Sequence, residues 1–190
     1  MLLRIGIKIS QLLIKRVAAY GIDLIIIVSY AALLYLGMNQ LLLHSEFRMP
    51  DNPFARQAIA FALLTLPVLI YSCWTEIGAW KGTPGKRMQK LEVMADQNSR
   101  IPKIIFRNIL KYLPWEMAHT GVHWIVEYSE RGVEAKSWVW MVLIVPQVVV
   151  LIYLISLIWT RGRRTLYDRV AGTSVGLKAG DRTKYDNLKP

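Results

Sequence analysis

Cysteine is almost absent. Cys73 is the only one in 190 residues, so no intramolecular disulfide can form, and thiol usage says nothing about redox compartment. Histidine is nearly as scarce, with His44, His119 and His123 alone. That is too few for a diiron membrane hydroxylase. The H-E-x-x-H signature of a membrane metalloprotease is missing, and His44 falls in a predicted loop rather than on a helix that could face another haem ligand. Charge is missing altogether from Ser137–Trp159. Acid is short overall, with 13 Asp and Glu against 24 Lys and Arg. There is no internal repeat. The first apolar run carries Asp23 and lacks a suitable small-residue cleavage site, so a cleaved signal is not expected.

What is present is long apolar blocks. Val17–Met38 is interrupted by Asp23 alone, Gln57–Ile77 has Glu76 at its end, and Ser137–Trp159 is uninterrupted. Each approaches or exceeds the roughly 20 residues that cross a bilayer. A fourth and poorer block, residues 108–127, carries Glu116, His119 and His123. The expected fold is an all-α transmembrane four-helix bundle with spans near 17–38, 57–77, 108–127 and 137–159. Lys and Arg alternate along the chain. Four lie in residues 1–16, eight in 78–112 and eight in 160–190, against two in 39–56 and two in 128–136. This is the positive-inside pattern for a multi-pass protein of the plasma or inner membrane with both termini cytoplasmic. The net charge of +11 is therefore read as topology plus attraction to anionic lipid headgroups, not as nucleic-acid binding.

Finer expectations follow from local pattern. Leu3–Ile9 alternates with period two, and Arg87–Met94 and Thr173–Lys178 are also strand-like, which predicts a small cytoplasmic β-sheet. Ile101–Tyr112 sets Ile104, Ile105 and Ile109 against Lys103, Arg107 and Lys111, as an interfacial helix would. Pro67 predicts a kink whose freed backbone groups a neighbouring helix must satisfy. Ala58 and Ala62 offer a small-residue packing face. Gly82-Thr-Pro-Gly-Lys-Arg87 has the look of a phosphate loop, but Trp80 and Arg87 stand where Gly and Ser or Thr are needed, so it reads as a turn. Residues 180–190 are polar and expected to be mobile.

The polar residues inside apolar blocks carry the functional argument. A charge at a helix centre costs about 2.5–3.5 kcal/mol on insertion scales unless it is paired or hydrated. Arg16 and Asp23 share a helix face, about 10.5 Å apart along the axis, too far for a direct pair. Candidate partners for Asp23 are His119, His123, Arg107 and Lys111. Glu116, His119 and His123 fall on one face, expected to look into the bundle toward Asp23. Their spacing suits a proton or small-cation site, a chelated metal, or simple interhelical hydrogen bonding. No resident metal or cofactor is expected, and no complete catalytic constellation argues for an enzyme.

Four stretches together resemble the RDD family of small bacterial membrane proteins. They are Arg16-Val-Ala-Ala-Tyr-Gly-Ile-Asp23, Gly82-Thr-Pro-Gly-Lys-Arg87, Arg107 with Pro114-Trp-Glu-Met-Ala-His119, and Tyr167-Asp-Arg-Val-Ala-Gly-Thr173. The family takes its name from an Arg and two Asp, which by position correspond to Arg16, Asp23 and Asp168. The resemblance implies a polytopic membrane protein suspected of transport, with cation/proton antiport proposed for some members. Arg16 is expected to meet Asp168 at the cytoplasmic boundary as a structural pair. Asp23, Glu116, His119 and His123 are the transport candidates, and a homo-oligomer is expected because four helices make a thin bundle. The competing expectation is a membrane scaffold or assembly factor that holds a partner through its basic face.

Overall fold

The structure, a computed structural model, describes residues 2–46 and 48–178, with side chains from residue 11 onward. The tail 180–190 lies outside the described residues. Helix α1 runs Leu2–His44. Helix α2, Pro53–Ala60, passes through a π-helical turn at Phe61–Thr65 into α3, Leu66–Ile77. Short α4, Pro84–Met88, leads to strand β1, Leu91–Met94. Long α5, Arg100–Glu130, and α6, Ser137–Trp159, pack side by side. Short α7, Leu166–Val170, and strand β2, Ser174–Leu177, close the described chain.

Three of these helices, Gln11–His44, Pro53–Ile77 and Ser137–Trp159, are long and apolar enough to cross a membrane. Most of their apolar side chains face outward, as lipid-facing residues do. Close approach between helices comes from glycine. A Cβ at Gly121 of α5 would lie 2.6 Å from Leu143 Cγ of α6. Ala58 and Ala62, expected to form a packing face, are exposed instead.

Three local expectations are corrected. Residues 3–9 are helical, part of α1, and do not join the sheet. Helix propagates cheaply from a formed span, and that overrides a seven-residue alternation. Among the described residues the sheet consists of β1 and β2, antiparallel, with Val93 opposite Val175. Ile101–Tyr112 is not a separate interfacial helix but the first turns of α5. Its burial departs from that pattern in part: Arg107 is 1% exposed and Ile104 is buried as well, while Ile105 and Ile109 are 41% and 44% exposed. Buried acids reward a buried guanidinium, and lipid accepts Ile105 and Ile109.

The prolines show how the interior is satisfied. Pro67 has no N–H for the Leu63 carbonyl four residues before it, and Pro114 has none for Leu110. The Tyr30 hydroxyl of α1 donates to Leu63 O, and the Tyr153 hydroxyl of α6 donates to Leu110 O at 2.9 Å. Tyr153→Phe is expected to cost about 1 kcal/mol, because a carbonyl is left unpaired away from water. Pro114→Ala supplies an N–H and should remove that sensitivity. A thermal-unfolding cycle in detergent checks this; an undiminished Tyr153→Phe loss in the Pro114→Ala background counts against it.

A small apolar core lies beneath the sheet. Ala19, Leu91, Val93, Ile104 and Val175 are buried together, with Leu12, Ile77 and Leu177 packed around them. This sheet end of the molecule carries most of the buried charge.

Candidate functional site

At the sheet end, buried ions of both signs form a continuous network. Asp168, at the third position of α7, closes a capping box with Thr165, which fixes its carboxylate at the helix start. Arg16 Nη2 donates to Asp168 Oδ2 at 2.9 Å, and Arg107 Nε donates to Oδ1 at 2.7 Å. Arg107 Nη1 also donates to Glu76 Oε2 at 2.6 Å. Lys86 Nζ donates to Glu76 Oε1 at 2.8 Å and to Thr83 Oγ1 at 3.3 Å. Thr83 Oγ1 and the Gly85 N–H in turn donate to Asp23 at 2.5 and 2.8 Å. Arg16, Lys86 and Arg107 thus balance Asp23, Glu76 and Asp168 in sign.

The backbone makes this possible at two glycines. The α4 turn lies so close to α1 that a Cβ at Gly85 would be 2.1 Å from Ala19 O. Gly162, with φ +86°, sits against Leu13, and its carbonyl accepts from Arg16 Nη1 at 3.1 Å. The glycine-rich turn therefore spends its donors and its lysine on Asp23 and Glu76.

A second polar feature runs between α2–α3 and α5. Asn108, Tyr112, Glu116 and Thr120 recur at every fourth position and so share one stripe of α5. Asn108 meets Glu76 at 2.9 Å, Tyr112 meets Ser72 at 2.7 Å, Glu116 accepts from Thr65 at 2.6 Å, and Thr120 accepts from Gln57. Arg56, paired with Glu127, closes the seam at the end away from the sheet. Beside Glu116, the rings of His119 and His123 lie against each other, tilted by 42°, with centroids 4.8 Å apart. His119 Nδ1 and His123 Nε2 are buried and have no hydrogen-bond partner among the described residues.

The RDD family model matches residues 11–172. The chain belongs to the RDD family. Comparison with curated proteins and with solved structures gave no significant match. The three positions that correspond to the RDD name, Arg16, Asp23 and Asp168, all sit in the sheet-end network.

The expected grouping of site residues is thereby redrawn. Arg16 meets Asp168, and Glu116, His119 and His123 lie together. Asp23 does not join them: both its oxygens are taken by Thr83 and Gly85 at the sheet end, whereas Glu116 pairs with Thr65 inside the bundle. None of its expected partners, His119, His123, Arg107 or Lys111, is bonded to it among the described contacts. The reason is that α4 packs directly on α1 at Ala19, which brings Thr83 and Gly85 to the carboxylate one turn further along. Sequence reasoning missed Glu76 and Lys86, noting Glu76 only as the end of an apolar block. The available signal was a lone acid at the end of an apolar run, ten residues before a lysine.

The network sets an acid limit on stability. Burial alone would raise the Asp168 carboxyl, but the Arg107 and Arg16 guanidiniums outweigh it and hold it well below the usual carboxylate range. An unfolded Asp titrates near 3.9, so the unfolded chain binds the proton first. The pair's contribution is full above about pH 4 and is lost as pH falls through the depressed folded value. Thermal midpoints in detergent should be flat in this respect from neutrality to about pH 5 and fall in stronger acid. Asp168→Asn should flatten the acid limb; an unchanged limb would assign it to other carboxylates.

Proposed function

We propose that this RDD-family membrane protein is a small transporter that exchanges protons for a small cation at Glu116, His119 and His123. One observation carries the reading: two buried imidazole nitrogens without partners stand beside a carboxylate, inside a polar seam between helices. A buried polar atom with no partner costs about 1–3 kcal/mol, so a site that keeps two of them favours water, a proton or a cation there. Imidazole changes charge near neutrality when unperturbed, which suits proton exchange.

The multi-pass reading includes α5 as a fourth crossing. Its 31 residues span about 46 Å at 1.5 Å per residue, more than the roughly 30 Å hydrocarbon core. Lys and Arg at its start and Glu127 and Glu130 near its end leave Glu116 between them. Both termini are then cytoplasmic, on the sheet side, in the plasma or inner membrane. A thin bundle would need a second copy to enclose an aqueous path, which favours a homo-oligomer. Asp23 leaves the exchange set and becomes an anchor of α4 on α1.

The test is reconstitution. Proteoliposomes with a pH gradient should show proton flux dependent on Na⁺, K⁺ or Li⁺. Glu116→Gln and His119→Ala should each lower it at least about a hundredfold with thermal stability retained, the low end of the scale for losing a positioned proton-transfer group. Flux unaltered in both variants would remove this site from the mechanism. A second reading, a scaffold holding a partner by its basic face, is favoured by the complete pairing of the sheet-end charges, which makes a rigid hub. Absence of flux in the parent protein under every cation would leave that reading standing.

A further inference from the structure

One amide stands on the wrong side of the most apolar of the three candidate spans. Helix α6, Ser137–Trp159, carries no charge, and Gln147 is the eleventh of its 23 residues. At 1.5 Å per residue the amide is about 15 Å from either end, near the middle of a roughly 30 Å hydrocarbon core. Gln147 is exposed, so it faces away from the bundle. No hydrogen bond reaches its side-chain amide among the described residues. The polar side chains of the α5 seam are answered within the chain, Glu116 by Thr65 and Tyr112 by Ser72. Gln147 is not, and lipid tails at that depth offer it neither a donor nor an acceptor.

We propose that Gln147 pairs with Gln147 of a second copy of this chain, across a parallel α6–α6 interface. A carboxamide holds both a donor and an acceptor, so two of them related by a twofold axis along the membrane normal satisfy each other with two hydrogen bonds. Copies inserted the same way round place Gln147 at the same depth by necessity. A different membrane protein would need a polar side chain at that depth by coincidence. The flanking residues fit such a pair. Trp140, Ile144, Gln147, Leu151, Leu154 and Ile158 follow one another at alternating steps of four and three, the a and d rhythm of a left-handed helix pair. The five apolar members are each at least half exposed. Exposure alone does not single out this line, because lipid matches apolar side chains as well as protein does; the amide does. A lone polar residue on such a line also fixes register. The inference is independent of transport: it names the face that pairs, whatever the chain moves.

The experiment uses the full chain in liposomes, with donor-labelled and acceptor-labelled copies mixed over a range of protein-to-lipid ratios. Energy transfer should rise with protein density as a dimer forms. One interhelical side-chain hydrogen bond in a bilayer is worth a factor of about three to thirty, and two are lost, so Gln147→Leu should weaken association by about tenfold or more. A second measurement leaves Gln147 in place and so reports even if that variant fails to fold. In a Cys73→Ala background, Ile144→Cys and Leu151→Cys should give disulfide-linked dimers when oxidised with copper phenanthroline. Met141→Cys and Ile152→Cys, also on the exposed side of α6 but off the line, should not. Unchanged energy transfer in Gln147→Leu overturns the proposal, as does equal cross-linking at all four positions. A parent protein that stays monomeric at every ratio overturns it too, and leaves the amide to water or to another protein. None of these outcomes depends on whether ion flux is found.

Discussion

Arg107→Met is expected to cost about 3–5 kcal/mol, the range for breaking a buried ion pair by removing one partner. Arg107 is 1% exposed and holds two carboxylates at once, Asp168 through Nε at 2.7 Å and Glu76 through Nη1 at 2.6 Å. Methionine fills much of the volume but leaves the network one positive charge short, with only Arg16 on Asp168 and Lys86 on Glu76. A lysine cannot repair it well, because a single ammonium lacks the planar fork that reaches two acceptors in different directions. Arg107→Lys should therefore be destabilised as well, though less. Adding Glu76→Gln to Arg107→Met removes the matching negative charge and should return part of the loss. Thermal unfolding of the parent, Arg107→Met, Glu76→Gln and the double variant in one detergent gives the coupling. Strictly additive losses would show that Arg107 and Glu76 do not depend on each other.

Gly85→Ala should be nearly as damaging, by a different route. The added methyl would sit 2.1 Å from Ala19 O and 2.8 Å from Asp23 Oδ1. The obstacle is a helix backbone, so no rotamer change relieves it, and α4 must lift from α1. Lifting stretches the Gly85 and Thr83 bonds to Asp23, leaving a buried carboxylate short of donors. Overpacking of about 1–3 kcal/mol plus loss of charge-assisted hydrogen bonds of about 1.5–3 kcal/mol predicts roughly 3–5 kcal/mol. Gly21→Ala is the control on the partner helix. A Cβ there meets nothing within 4 Å, and Ala is the better helix former by about 1 kcal/mol, so this variant should hold or gain stability. Similar thermal midpoints for the two variants would refute the close packing of α4 on α1.

The same two positions show what kind of information the chain carries locally. Gly82-Thr-Pro-Gly-Lys-Arg87 is visible as a turn at a membrane boundary, and its mismatch to a phosphate loop is visible too. That its lysine answers Glu76 and its glycine answers Asp23 is not visible, because both partners lie on helices whose rotation depends on all their neighbours. Arg107 illustrates the reverse error. On its own helix it sits with Lys103 and Lys111, opposite isoleucines, and the pattern reads as a basic face turned to water. In lipid Ile105 and Ile109 need no burial, while two buried acids make the interior the better place for the guanidinium. Amphipathic reasoning that assumes water outside then assigns the wrong face.

The seam of α5 is a third case. Glu116, His119 and His123 stand out in the sequence because they are ionisable. The stripe that pairs with α2–α3 is Asn108, Tyr112, Glu116 and Thr120, mostly uncharged groups that look ordinary one at a time. Only the antiparallel register of the helices turns them into rungs.

By itself the sequence determined the membrane class, the long apolar helices, two of the sheet segments and the family, because run length, charge and short motifs are local properties. The meeting of Arg16 with Asp168 could be anticipated from the family pattern. Tertiary structure alone decided that Glu76, Lys86 and Arg107 complete their network, that Asp23 anchors α4 rather than facing the histidines, and that residues 3–9 extend a helix. A charge in a low-dielectric interior takes the nearest adequate partner, and which partner is nearest is settled by how the helices pack, which no single segment encodes.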